Sequence, residues 1–135
     1  MGQGIQGTSG ADVICGLGGN DLIFGNGGND LIDGGTGSDR VGYQNAPSAV
    51  SVNLGSGAVS GGAGNDQLRN IEGVMDSPHS DTLTGSSGND YFWLTSGGAD
   101  TISGGAGSDT ADYTYAPGEC ADDSLTGIED YFGCP

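Results

Sequence analysis

The sequence predicts an all-β chain whose short parallel strands stack as a right-handed β-solenoid, and three observations support this fold class. A nine-residue unit recurs along most of the 135 residues. Each unit ends in a triplet that is too short for more than one rung of a sheet. Glycine, with 30 residues, supplies turns between the rungs. Two rungs and two turns then make one coil of 18 residues.

The nine-residue unit is clearest between residues 7 and 42. Its copies there are GTSGADVIC, GLGGNDLIF, GNGGNDLID and GGTGSDRVG, with Gly first and fourth, Asp sixth and Ile or Val eighth. Stepping by nine from Ile5 to Leu68 meets eight aliphatic residues in succession, and these should point inward. The frame is therefore predicted to run through the Gly-poor stretch 43–60 into a further copy at 61–69.

A second array follows a connector at 70–75, where the frame shifts. Its blocks are DSPHSDTLT, GSSGNDYFW, the ten-residue LTSGGADTIS and GGAGSDTAD, which span 76–112. The predicted inward positions of this array are Leu83, Phe92, Ile102 and Ala111.

A longer repeat relates the two halves of the chain. SDRVGYQNAP (38–47) matches SDTADYTYAP (108–117), and NDQLRNIEGV (65–74) matches DDSLTGIEDY (122–131). We interpret the chain as two modules of one continuous solenoid, 1–75 and 76–135. The second module is shortened and closes with a C-terminal cap.

The shortened module lacks the alternating strand signal Val50-Val52-Leu54 of the linking segment 43–60. Cys120 stands in its place. We predict a disulfide between Cys120 and Cys134 that replaces the missing packing. Cys15 would then be a free buried thiol or one whose partner lies outside the sequence.

The charge of the chain excludes several classes of protein. Asp and Glu number 18 against Arg40 and Arg69 alone, for a net charge of -16. Nucleic-acid binding through phosphates is excluded on that balance, and no apolar run reaches the length of a membrane span. Leu, Ile, Val and Phe sum to only 24 residues, which is typical of a disordered chain.

The sixth-position aspartates explain how such a chain folds. Stacked one coil apart they would repel, whereas carboxylates beside carbonyls of Gly-rich turns form an all-oxygen site for a hard cation. Calcium takes 6–8 oxygens in flexible geometry, so we predict that calcium is part of the fold. The aspartates are Asp12, Asp21, Asp30, Asp39, Asp66, Asp81, Asp90, Asp100 and Asp109.

These blocks resemble the RTX, or hemolysin-type calcium-binding, nonapeptide GGxGxDxUx over roughly 7–112. The resemblance implies a parallel β-roll with calcium ions, about four to eight of them, in the turns between stacked coils. It also implies a bacterial protein secreted unfolded by a type I pathway and folding in external calcium.

The resemblance also implies a set of calcium ligands. The second and fourth carbonyls and the Asp of one turn would join the first and third carbonyls and the Asp of the turn one coil later. The resulting sets are Thr8, Gly10 and Asp12 with Gly25, Gly27 and Asp30; Leu17, Gly19 and Asp21 with Gly34, Thr36 and Asp39; and Ser86, Gly88 and Asp90 with Gly104, Ala106 and Asp109. Asp81 would pair with Asp100, and Asp66 with Asp81 across the connector.

Catalysis is not predicted, because the only histidine, His79, occupies a turn position where its carbonyl alone matters. A carbohydrate-binding or adhesion module using Tyr91, Trp93 and Tyr113 is an alternative, although Tyr91 and Trp93 are better explained as a cover on the outer face. A non-catalytic C-terminal module of an extracellular enzyme or toxin is another.

The expected partners are calcium and a larger parent protein, a surface glycan or a second copy of the chain. The outward residues Val13, Leu22 and Leu31 form an apolar stripe that could face a neighbouring domain, a second copy or a missing coil.

Overall fold

The computed structural model describes residue 2 and residues 4–95, 97–116 and 118–133, with the backbone alone at 119. This part of the chain is almost entirely strands and turns, with one 3₁₀ turn at Glu119–Ala121. The strands are β1 Gly4–Gln6, β2 Val13–Cys15, β3 Leu22–Phe24, β4 Leu31–Asp33, β5 Arg40–Gly42, β6 Val50–Asn53, β7 Val59–Gly61, β8 Gln67–Arg69, β9 Gly73–Met75, β10 Thr82–Thr84, β11 Tyr91–Trp93, β12 Thr101–Ser103, β13 Thr110–Asp112, β14 Ser124–Thr126 and β15 Asp130–Phe132.

One face of the solenoid is a seven-stranded sheet in the order β1-β3-β5-β9-β11-β13-β15, and all of its pairings are parallel. Ile5 pairs with Ile23 and Ile23 with Val41, which confirms the predicted 18-residue coil. In the second array Leu83 pairs with Ile102, one residue further along, because that coil contains the ten-residue block. The sheet continues across residues 75 and 76, and the two-module division stays an interpretation of the sequence repeat.

The opposite face is built from a three-stranded sheet, β2-β4-β8, and a five-stranded sheet, β14-β12-β10-β6-β7. β6 and β7 form an antiparallel hairpin, and the Ala58–Gln67 bridge joins its second strand to β8. The hairpin therefore stands between the third and fourth coils.

The hairpin corrects the prediction that nine-residue rungs run through 43–60. This segment has Tyr43 and Val52 where the nine-residue blocks begin with Gly, and its two glycines, Gly55 and Gly57, come after β6. The chain therefore continues as a four-residue strand and then doubles back. Val50 and Val52 both point inward from β6, and Val59 points inward from β7. The aliphatic spacing therefore predicted which residues are buried but not the direction of the strand that carries them.

The core is a file of single side chains between the two faces. Its fully buried members include the predicted inward residues Ile23, Ile32, Leu83, Phe92, Ile102 and Ala111. With one inward side chain for each three-residue rung, hydrophobic burial alone gives this fold little stability.

The C-terminal cap carries the cysteine predicted to form a bridge. Cys120 is disulfide-bonded, whereas Cys15 is a free thiol and is exposed rather than buried. Cys134 lies outside the described residues, so its pairing with Cys120 stays a prediction. Within the described residues no helix has the length and apolar character needed to cross a membrane.

Candidate metal centre

The sixth-position aspartates stack from coil to coil, and six of the nine carboxylates accept a backbone N–H from the part of the chain that stacks before them. The Asp12 N–H donates to Asp30 Oδ1 at 2.9 Å, and the Asp21 N–H donates to Asp39 Oδ1 at 2.7 Å. In the second array the Asp90 N–H donates to Asp109 Oδ1 at 2.8 Å. One oxygen of each receiving carboxylate is thus used to hold adjacent coils together.

The ladder on the hairpin side is interrupted once. Asp66 Oδ1 accepts the N–H of Asp30, and Asp81 Oδ1 accepts the N–H of Val50, both at 2.9 Å. The suggested pairing of Asp66 with Asp81 is therefore wrong, because the hairpin lies between their coils. Below the hairpin the ladder resumes, since the Asp81 N–H donates to Asp100 Oδ1 at 2.8 Å.

On the other side of the solenoid, the stacked aspartates are followed by two glutamates, which were not among the predicted ligands. The Asp39 N–H donates to Glu72 Oε2 at 2.9 Å, and the Asp109 N–H donates to Glu129 Oε2 at 2.8 Å. Both glutamates lie in the Ile-Glu dipeptide of the longer repeat, at 71–72 and 128–129. The 57-residue offset that relates 65–74 to 122–131 was the sequence signal for their common role.

Two buried tyrosines at equivalent positions of the longer repeat each donate a hydrogen bond to an aspartate. The Tyr43 hydroxyl donates to Asp66 Oδ2 at 3.1 Å, and the Tyr113 hydroxyl donates to Asp123 Oδ2 at 2.6 Å. Burial, followed by the adjacent aspartate, raises the pKa of both tyrosines above the usual range. The hydroxyls therefore stay protonated and keep donating to the carboxylates.

Replacing Tyr113 with Phe should destabilise the chain by about 1–3 kcal/mol, because Asp123 Oδ2 then loses its donor. Tyr43→Phe should act similarly on Asp66. Urea unfolding in saturating calcium measures both. The matched control is Tyr115→Phe, since Tyr115 is 79% exposed. An equal loss of stability in the control would contradict the assigned role.

In three turns, a Ser or Thr that stands four residues before the aspartate donates hydrogen bonds to its carboxylate. The N–H groups of Thr8, Ser77 and Ser86 donate to the Oδ2 atoms of Asp12, Asp81 and Asp90 at 2.6–2.7 Å. Their hydroxyls donate to the same carboxylates. Each hydroxyl also accepts an N–H from two residues later. We call these three the closed turns.

Other turns leave an aspartate oxygen unsatisfied. Asp30, Asp39 and Asp109 are buried to 3% exposure or less, and their Oδ2 atoms have no hydrogen-bond partner. The residue four positions earlier has positive φ in each case: Asn26 at 68°, Gly35 at 91° and Gly105 at 92°. We call these three the open turns.

Burial is the main reason that the pKa values of Asp30, Asp39 and Asp109 are raised. Backbone hydrogen bonds from the preceding coil act in the opposite direction on all three. An unsatisfied, desolvated carboxylate oxygen is the group that a cation would stabilise.

Backbone carbonyls lie beside these oxygens. A Cβ on Gly16 would lie 2.6 Å from Asp21 Oδ2 and 2.5 Å from the Gly34 carbonyl oxygen of the next coil. Cβ atoms on Gly34 and Gly104 would likewise meet Asp39 Oδ2 with the Asn70 carbonyl, and Asp109 Oδ2 with the Gly127 carbonyl. Because glycine has no Cβ, each of these positions leaves a space that is lined by one carboxylate oxygen and one carbonyl oxygen. We call this space a glycine cradle.

The second and fourth carbonyls predicted as ligands face the following coil. Those of Gly10, Gly19 and Gly88 point toward Gly28, Gly37 and Gly107, which all have positive φ. The pair at Leu17 and Thr36 differs, since Leu17 O accepts the Thr36 N–H at 2.9 Å and Thr36 O accepts the Gly19 N–H at 3.1 Å. The ligand sets stay predictions, and this second set would have to share its carbonyls with hydrogen bonds.

Side chains alone do not form a metal site in the described residues, where no three His, Cys, Asp or Glu groups converge. The backbone carbonyls beside Asp39 Oδ2 and Asp109 Oδ2 are further oxygen donors, which suits a hard cation with oxygen preference. The orphaned Oδ2 atoms and the glycine cradles fit calcium. When bound there, calcium would supply positive charge to the stacked carboxylates.

The aromatic residues of β11 have partners within the chain. Phe92 is buried, and the Tyr91 and Trp93 rings lie 4.0 Å apart on the outer face, as predicted. The Arg40 guanidinium lies 4.6 Å from the Trp93 ring centroid, and the Tyr91 hydroxyl donates to Asp112 at 2.6 Å. Tyr113 is fully buried, so its suggested place in a surface carbohydrate platform is wrong.

The stacked coils and aspartate ladders define a repeat protein with a site for a hard cation in its turns. The RTX calcium-binding nonapeptide repeat matches this chain in four copies, over residues 6–41, 54–69 and 77–111. The chain belongs to the family of proteins that carry this repeat. Comparison with the curated proteins found no match.

Proposed function

We propose that this chain is a calcium-triggered folding module of a secreted bacterial protein. It is disordered without calcium and folds into the β-roll on meeting calcium outside the cell. The resemblance to the RTX repeat supports the extracellular location and the type I route. The absence of catalysis is part of the same proposal, since the repeat is a structural calcium-binding unit.

The observation that carries the proposal is the number of buried carboxylates. Nine aspartates are at most 3% exposed, whereas the whole chain has two basic residues. Uncompensated burial of a carboxylate costs several kcal/mol, and a hydrophobic core one side chain wide offsets little of that cost. A bound cation removes the repulsion and supplies folding free energy together.

A calcium titration followed by far-ultraviolet circular dichroism tests the proposal. We expect little β structure in excess chelator and a cooperative transition at roughly 10⁻⁴–10⁻³ M calcium, the range of extracellular modules. Magnesium is the control, because its demand for a tight octahedron fits flexible carbonyl sites poorly. Full β structure in chelator, or equal action of magnesium, would contradict the proposal.

A larger parent protein remains part of the proposal, as do the alternatives of an adhesion module and a module of an extracellular enzyme or toxin. The predicted outward stripe is wrong in one member: Val13 at 75% and Leu31 at 41% exposure pair on one face, whereas Leu22 is half-buried in β3 on the opposite face, because consecutive rungs alternate between the two faces. Nothing in the described residues selects a glycan, a second copy or a neighbouring domain as its partner.

A further inference from the structure

We propose that calcium is required at the open turns of Asp30, Asp39 and Asp109, and that the closed turns of Asp12, Asp81 and Asp90 hold themselves together without an ion. This inference rests on the proposed function and revises the predicted ligand sets. Those sets join Asp12 to Asp30, and Asp90 to Asp109, at one ion each, whereas here only Asp30 and Asp109 of these pairs need the ion. The residue four positions before the aspartate decides whether its turn is closed or open.

The closed turn replaces the ion with hydrogen-bond donors. At Asp90, Oδ2 accepts the Ser86 N–H at 2.6 Å and the Ser86 hydroxyl at 3.0 Å. The same hydroxyl accepts the Gly88 N–H at 3.0 Å, which fixes its orientation. Two donors thus converge on the oxygen that a cation would otherwise stabilise.

The open turn cannot make these bonds. Gly105 takes the place of Ser86 one coil later, and it has neither a hydroxyl nor the backbone conformation of the closed turn, since its φ is 92°. Asp109 Oδ2 is left buried without a donor, beside the Gly127 carbonyl in the cradle of Gly104. Asp90 Oδ2 and the Gly104 carbonyl meet in a similar space at Gly85, so it is the missing donors that make Asp109 Oδ2 the oxygen a cation would stabilise.

The two open turns of Asp39 and Asp109 are equivalent in the longer repeat. Their N–H groups bind Glu72 and Glu129, and their cradles contain the carbonyls of Asn70 and Gly127. Asn70 and Gly127 both have positive φ, 52° and 61°. The same arrangement therefore occurs once in each module.

A third group of aspartates needs no ion by the same reasoning. Asp66 and Asp123 have their Oδ2 atoms satisfied by the buried hydroxyls of Tyr43 and Tyr113. The chain therefore uses three ways to satisfy a stacked aspartate: a Ser or Thr turn, a tyrosine, or an ion.

Two isosteric variants of the full chain, in adjacent coils, test the division. Asp109→Asn can keep its oxygen on the Asp90 N–H and exchange only the orphaned Oδ2 for an amide. Asp90→Asn can keep its oxygen on the Ser86 donors. Bound calcium is counted by native mass spectrometry and isothermal titration calorimetry, and folding is followed by circular dichroism.

We expect Asp109→Asn to bind one calcium ion fewer and to raise the calcium midpoint roughly tenfold. In chelator it should be more ordered than the parent chain, because a buried unpaired charge has been removed. Asp90→Asn should bind as many ions as the parent, with a midpoint within about twofold. A purely structural role for both aspartates would not produce opposite effects in calcium and in chelator.

A third variant tests the closed turn directly. Ser86→Ala removes the hydroxyl that donates to Asp90 Oδ2 and should lower β structure in chelator, whereas the control Ser87→Ala removes an exposed hydroxyl one residue away and should not. If Asp90→Asn loses an ion as Asp109→Asn does, the division is overturned while the proposed function stands. If the parent chain binds no calcium, the proposed function fails, and this inference fails with it.

Discussion

Replacing Asp30 with Ala should raise the calcium concentration needed for folding far more than replacing Asp33 with Ala. Asp30 is buried, its Oδ1 accepts the Asp12 N–H, and its Oδ2 is orphaned. Losing an ion from a site filled at about 100 times its Kd costs roughly 2.7 kcal/mol. The Asp12 N–H also loses its acceptor, which adds about 1–3 kcal/mol to the loss of stability to the extent that this N–H is buried.

Asp33 is the matched control because it stands at the ninth position of the same block. Its Oδ1 accepts the Gly35 N–H at 3.0 Å and the Asn70 amide at 2.8 Å. Asp33→Ala should therefore cost about 0.5–1.5 kcal/mol for each of these hydrogen bonds and leave the ion count unchanged. Calcium midpoints from circular dichroism compare the variants, and equal midpoints would refute the register that places Asp30 inside the ladder.

The first array was predictable from sequence in detail, because one periodicity determines both its turns and its core. The pairing of Val13 with Leu31 and the burial of Ile23 and Ile32 follow directly from the nine-residue step. The eighth position is aliphatic in all four blocks, whereas a register shifted by one residue would bury Arg40.

The hairpin at 50–61 shows what the periodicity could not predict. Val50 and Val59 are nine residues apart and buried, as in consecutive rungs, but they lie on antiparallel strands. A spacing of inward residues reports burial and not chain direction, which the turn between them decides. Residues 54–57 turn the chain back on itself within the same face, so the hairpin separates β8 from β10 on that face, while β5 and β9 pair directly on the other.

The candidate site was predicted through its aspartates, whereas their partners were missed. Glu72, Glu129, Tyr43 and Tyr113 fall outside the nonapeptide, and only the longer repeat carries them. The distinction between Ser86 and Gly105 was also beyond the periodicity. It depends on a hydroxyl reaching a carboxylate within one turn, which becomes visible only when the backbone conformation is known.

In chelator, acidification from pH 8 toward pH 5 should increase the order of the chain. Burial first, and then the nearby carboxylates Asp123, Asp81 and Asp76, raise the pKa of Asp100 to about 7. Burial likewise raises the pKa values of Asp30, Asp39 and Asp109 in the metal-free chain. An unfolded aspartate titrates near pH 3.9, so the folded chain binds protons more tightly.

The sign follows from this difference in proton affinity. A raised carboxyl pKa stabilises the folded state at low pH, and that contribution is lost as pH rises through the folded value, which for Asp100 is about 7. Circular dichroism in chelator across this range measures the effect, and Asp100→Asn should flatten the profile. With calcium the order should instead weaken on acidification, because protons compete with the ion for the carboxylates. Loss of order in chelator as pH falls from 8 to 5 would contradict the burial assigned to these aspartates.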